Sequence, residues 1–311
     1  MIIYNLSPEL PSKNFAVDFH LRAAQKAEEF EKSKQELLAE ATPKLRELLE
    51  LSEGFEVKIV ASEKALLSRL DEIFKNGLVK LENPRHNWRN NSPYISNTTK
   101  AIYIEQTNLQ TGFHLPVSEL EAMKIDHPHS LFLVNATHSL PFAEPCADYA
   151  DLLFFRLDLG FGMTGKAILC IMNQEIAKLL GSMDDDLASE EDIFLTGKIS
   201  EDYVMRGAKA LKGDIKYKSV LMYQLFSSKP EFTPLVGDKK YRSDMVIGAT
   251  VPASMEINKL LESIGIQIAY SEIDEDLHKI LIANSPNYSK EVFEKLVDFF
   301  DDQTSYFLEN H

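Results

Sequence analysis

The spacing of apolar positions changes character several times along the chain. Over residues 17–51, apolar positions recur at helical spacing among Ala, Glu, Lys and Leu. Pro43 lies inside that stretch. A proline removes an N–H and crowds the preceding turn, which predicts a break there and a second helix over 44–51, ended near Gly54. Residues 55–60 then read as a strand, and 64–74 as an amphipathic helix. Residues 83–99 hold many Asn, Ser and Pro residues with the only tryptophan, Trp88, and predict a long loop.

Strands and helices alternate from that point. Strands are predicted over 101–106, 130–136, 151–158 and 167–172, with helices over 117–124 and 174–180. The unbroken apolar runs Leu131-Phe132-Leu133-Val134 and Ile168-Leu169-Cys170-Ile171-Met172 suit strands buried on both faces of a parallel or mixed sheet. The acidic stretch 184–192 predicts a solvated loop, followed by helices around 201–212 and 216–226 and a break at Ser227-Ser228-Lys229-Pro230. The remainder predicts strand 245–250, helix 253–264, strands 266–270 and 279–283, and helix 290–300. The expected organisation is a large α/β domain over 1–225, with an N-terminal arm, and a small α+β domain over 226–311.

Charge and cysteine content narrow the function classes. Against 33 Lys+Arg stand 48 Asp+Glu, a net charge of −15, and the resulting field disfavours nucleic acid and anionic membrane as partners. No apolar run reaches the ~20 residues of a membrane span, and Met1-Ile2-Ile3-Tyr4 lacks a basic start. Cys146 and Cys170 cannot make a disulfide framework, so a cytoplasmic location is expected.

Two local motifs invite chemistry and are better explained without it. Gly160-Phe161-Gly162-Met163-Thr164-Gly165-Lys166 satisfies both G-x-G-x-x-G and GxxxxGK. Both patterns need a helix directly afterwards to carry the phosphate, yet a short apolar, strand-like segment follows. Ala167 also stands where a phosphate loop needs a hydroxyl. Asp126-His127-Pro128-His129, with His138, could be read as metal ligands, but a polar loop between a helix and a strand accounts for them, and no metal is expected.

Read in order, several segments resemble class V pyridoxal-phosphate (PLP) aminotransferases, most closely phosphoserine aminotransferase. They are Met1-Ile2-Ile3-Tyr4-Asn5 with Pro8, and Leu45-Arg46-Glu47-Leu48-Leu49 with Glu56-Val57. Further on come Ile102-Tyr103-Ile104 to Thr111-Gly112-Phe113-His114-Leu115-Pro116, and Leu133-Val134-Asn135-Ala136-Thr137-His138-Ser139. Leu152-Leu153-Phe154-Phe155 through Gly162-Met163-Thr164-Gly165, Arg242-Ser243-Asp244-Met245, and Asn284 with Leu296-Val297-Asp298-Phe299-Phe300 complete the series. The resemblance implies an α/β protein of the type I aminotransferase fold, with a mostly parallel sheet flanked by helices, and a homodimer.

The same resemblance exposes departures. The family's Schiff-base lysine falls on Leu159, preceded by Asp158, and leucine has no amine to form an imine. The aspartate expected beside the cofactor's ring nitrogen falls on Asn135. The phosphate-cupping loop falls on Ser62-Glu63-Lys64, which brings in a carboxylate, and the substrate-carboxylate arginine falls on Lys279. The implied remnant cofactor site is Ser62, Glu63, Thr111, Asn135, His138, Asp158 and Leu159, with Lys279 and Arg242 toward substrate. The expectation is a non-catalytic aminotransferase-like protein with no cofactor, whose cleft takes a small anionic or amino-acid ligand. The alternatives are an active PLP-dependent transaminase using Lys166 or an unusual geometry, and an interaction protein whose cleft is filled.

Overall fold

The computed structural model describes residues 4–6, 32–82, 95–143, 146–157, 161, 168–181, 183–255, 257 and 265–310. Its first sheet holds β2 (Glu56–Val60), β3 (Leu78–Leu81), β4 (Ala101–Glu105), β5 (Leu131–Asn135), β6 (Leu152–Arg156) and β7 (Ile168–Met172), in the order β2-β7-β6-β5-β4-β3. Strands β3 to β6 run parallel, and β7 runs antiparallel to both of its neighbours. Every residue of β7 is buried, as an unbroken apolar run requires when helices cover both faces.

Helices α2 (Glu63–Phe74) and α4 (Gln174–Leu180) cover one face, packing Leu66, Leu70, Phe74 and Ile176 on Leu133, Phe154 and Cys170. The other face, with Ile104, Phe132, Val134 and Phe155, meets α1 (Lys34–Leu48), α3 (Val117–Asp126) and α5 (Glu190–Arg206). A second, antiparallel sheet has the order β11 (Ala269–Glu272), β12 (Leu277–Ala283), β9 (Val246–Pro252), β8 (Thr233–Pro234). Strand β1 (Tyr4–Asn5) pairs in parallel with β10 (Ile266–Gln267). Helix α6 (Ala208–Ser228) joins the two cores, with Leu211 and Ile215 in the first and Met222 and Phe226 in the second. Phe226 and Phe232 meet Phe300 of α7 (Lys290–Asn310).

The structure departs from the sequence pattern at several places. Helix α1 runs through Pro43 without a break. A helix-interior proline costs about 3 kcal/mol, but burying leucines such as Leu45 and Leu48 contributes about 1.5–3 kcal/mol each. Both are fully buried, and they lie beyond the proline, so tertiary packing carries the helix onward. Close approach of α5 adds to this: a Cβ at Gly197 would lie 3.1 Å from that of Ala41. Second, the acidic run enters a helix rather than ending as a loop. Ser189 caps α5 through a 3.1 Å bond from Asp192 N–H, and Glu190, Glu191 and Asp192 fill the first turn, where the helix dipole favours negative charge. Third, the boundary between α5 and α6 is Gly207, whose φ of 85° suits glycine. Of the helix expected over 253–264, residues 253–255 form a turn, while 256 and 258–264 lie outside the described residues.

Candidate functional site

Parallel strands β4, β5 and β6 end on one edge of the first sheet, beside the N-terminus of α2, the kind of edge where open α/β sheets bind ligands. Asn135 is the last residue of β5 and lies on the face covered by α2. Its Oδ1 accepts from Thr137 N–H at 3.1 Å and Thr137 Oγ1 at 2.6 Å, an Asx turn that closes the strand. That fixes which end of the amide faces α2. Its Nδ2 donates to Tyr103 Oη at 3.0 Å and to Glu63 Oε1 at 3.3 Å. An amide offers two donors and one carbonyl oxygen, so the hydrogen-bonding capacity of Asn135 is fully used within the protein. Thr137 Oγ1 in turn accepts from Arg156 N–H at 3.3 Å, tying β6 to the same cluster.

Ser62 caps α2, accepting from Ala65 N–H at 3.3 Å, and Glu63 is the first helical residue. Its carboxylate is felt across the sheet edge. Burial, reinforced by Glu63, pushes the Cys170 thiol up. Burial likewise raises Tyr103, against the lowering effect of its bond with Asn135, and Glu105 and Glu63 add to the rise. His138 follows the Asx turn, and burial together with Arg156 pushes its imidazole down to about 4. Among the described residues its buried Nδ1 has no hydrogen-bond partner.

Thr111, Lys279 and Arg242 have partners of their own. Thr111 belongs to the turn after β4, where its Oγ1 accepts from Phe113 N–H at 3.2 Å. That turn packs on the second sheet. Gly112, at φ 73°, lies so close to β9 that an added Cβ would sit 2.3 Å from the Val246 carbonyl oxygen. The Ser243 N–H donates to Gly112 O at 2.8 Å, and Phe113 stacks on Tyr241 at 5.0 Å. Lys279 Nζ donates to Gln110 Oε1 at 3.1 Å, across from the same turn. Arg242 donates to the carbonyls of Val236 at 2.8 Å and Gly237 at 3.1 Å and lies over the Tyr223 ring.

The structure therefore brings Ser62, Glu63 and Asn135 together and groups Thr111 with Lys279 through Gln110. Asp158, Leu159 and Lys166 lie outside the described residues, as does most of the Gly160–Lys166 motif, after which β7 begins as a strand. Tyr103, Thr137 and Arg156 complete the cluster and were not singled out from sequence. The signal for Tyr103 was its polar tip on an otherwise apolar strand, followed only by Glu105. Among the described residues, no group of three or more His, Cys, Asp or Glu could hold a metal ion, and no helix is long and apolar enough to cross a membrane.

PLP would bring a phosphate dianion to the first turn of α2 and a ring nitrogen to the end of β5, as the resemblance implies. Two of the described residues do not suit it. The first turn of α2 already carries the Glu63 carboxylate, and Asn135 has no free donor or charge to offer a ring nitrogen.

The sequence matches no protein-family model and no curated protein. The structure, in contrast, is similar to solved aminotransferases. A phosphoserine aminotransferase from Cytophaga hutchinsonii superposes with a TM-score of 0.82 at 20% identity, over 96% of this chain and 98% of that one. PLP-bound phosphoserine aminotransferase from Trichomonas vaginalis gives 0.70 at 15% identity, over 96% and 100%. A subgroup IV aspartate aminotransferase from Thermus thermophilus gives 0.72 at 12% identity, over 97% and 99%. The chain has the fold of these enzymes, with a mostly parallel sheet between helices.

Proposed function

We propose that this chain is a non-catalytic relative of the aminotransferases, which keeps their fold and holds a small anionic or amino-acid ligand in what remains of the cleft. One observation carries the reading. Asn135, where the resemblance implies a carboxylate beside the ring nitrogen, spends its whole hydrogen-bonding capacity on Thr137, Tyr103 and Glu63. An amide in that position cannot hold a ring nitrogen protonated by charge. Leu159 at the implied lysine position supports the same reading, since an alkyl side chain forms no imine.

What the strand-end cluster can do is accept and orient a ligand's amino or hydroxyl groups, while its Glu63 carboxylate disfavours an anion at that point. Its polar groups are Glu63, the neutral His138 imidazole and the Tyr103 hydroxyl, set on rigid strand ends and a helix start. Lys279 and Gln110 offer a separate polar pair toward the second sheet, suited to a ligand carboxylate as a point contact. A homodimer, implied by the resemblance, belongs to the same proposal and is checked by light scattering on the purified chain.

The test is an absorbance titration of the full chain with PLP, with and without borohydride. The expected result is no saturable, reducible imine band. A stoichiometric band that vanishes in Lys166→Ala would replace this reading with an active transaminase.

A further inference from the structure

We infer that Glu63 is a built-in substitute for a bound anion: its carboxylate joins the start of α2 to the Asn135 amide, so the chain needs no phosphorylated ligand to complete this edge. The inference deepens the proposal above and rests on its placement of the site, but not on the absence of catalysis.

A helix start that faces a sheet edge presents free N–H groups and the positive end of the helix dipole, and negative charge is favoured there. Here the chain supplies that charge itself. Ser62 Oγ takes the Ala65 N–H, and the next side chain, Glu63, carries the acid. The carboxylate is turned over the sheet edge rather than away from it. Asn135 on β5 donates to it at 3.3 Å, across 72 residues of sequence, and it weighs on Tyr103 of β4 and Cys170 of β7. The donor is oriented for this contact, because Thr137 holds the opposite end of the Asn135 amide. A phosphate entering here would meet a like charge and a donor already in use.

Removing the carboxylate should therefore convert a closed position into one that responds to phosphate. The experiment measures thermal melting of the full chain as wild type, Glu63→Ala and Glu63→Gln, with inorganic phosphate, PLP or unphosphorylated pyridoxal. The wild type is expected to shift by less than about 1 °C with each. Glu63→Ala is expected to melt lower alone and to regain roughly 2 °C or more with phosphate and with PLP at saturating concentration, but not with pyridoxal. Glu63→Gln keeps an acceptor for Asn135 and loses only the charge, so it carries the same test if Glu63→Ala does not fold. Wild-type stabilisation by phosphate equal to that of the variants would overturn the inference. So would folded variants that gain nothing. An imine formed by the wild type with pyridoxal, without any phosphate response, would sink the non-catalytic proposal and leave this inference standing.

Discussion

Placing a carboxylate at the end of β5, where the resemblance implies one, by Asn135→Asp, is a direct perturbation of the strand-end cluster. In a working site of this fold the change would improve matters; here it should damage the protein. The new carboxylate would face Glu63 at about the present 3.3 Å. With an effective dielectric of about 20, two charges at that distance repel by about 5 kcal/mol. The pair can escape by retaining one proton. At pH 7 that costs about 1.36 kcal/mol for each pKa unit between a carboxylate's ordinary value near 4.3 and 7, or about 3.7 kcal/mol. The cheaper route sets the cost, so Asn135→Asp should destabilise the chain by about 3–4 kcal/mol at pH 7. Urea unfolding followed by circular dichroism measures it. The loss should shrink toward pH 4.5, where keeping the proton becomes free, and should fall to about 1 kcal/mol in the Glu63→Gln background. An Asn135→Asp protein as stable as wild type at pH 7 would refute the reasoning, as would a loss that Glu63→Gln leaves unchanged.

Three further outcomes follow from the same contacts. Gly112→Ala combines a left-handed φ of 73° with a Cβ only 2.3 Å from the Val246 carbonyl oxygen, and it should cost at least about 3 kcal/mol in urea unfolding. Lys218 is wholly buried and donates to Ser285 O at 2.7 Å and Tyr288 O at 2.8 Å while pairing with Asp214 at 2.8 Å. Lys218→Met should therefore lower stability by about 3 kcal/mol in thermal melts. His114 bonds Thr107 at 2.8 Å, and burial, helped by Lys216, pushes its imidazole from 6.5 down to about 4. The unfolded chain takes up that proton first, so this contribution is fully present above pH 6.5 and is lost as pH falls toward about 4. His114→Gln should remove about one proton from the pH dependence of unfolding in that window.

Much of the scaffold was legible in the sequence. The unbroken apolar runs at 131–134 and 168–172 are the central β5 and the antiparallel β7, because a strand covered on both faces has no polar side to show. Pro43 misleads because local propensity omits the packing of Leu45 and Leu48, which the sheet and α5 together provide. The site was half legible. Ordered segments along the chain pointed to Asn135 and Glu63 separately. Their contact spans 72 residues and the Tyr103 contact spans 32, and no local spacing encodes such a meeting. Thr111 read as part of the site from its Thr-Gly dipeptide. The structure gives that turn a further task, since the missing side chain of Gly112 lets it seat against β9.

If this aminotransferase fold carries no imine-forming centre, peptide mapping of the full chain after treatment with PLP and borohydride will find only sparse, substoichiometric labelling scattered over surface lysines. A single lysine labelled one-to-one at micromolar PLP, at Lys166 or elsewhere near the ends of β5 and β6, would contradict it.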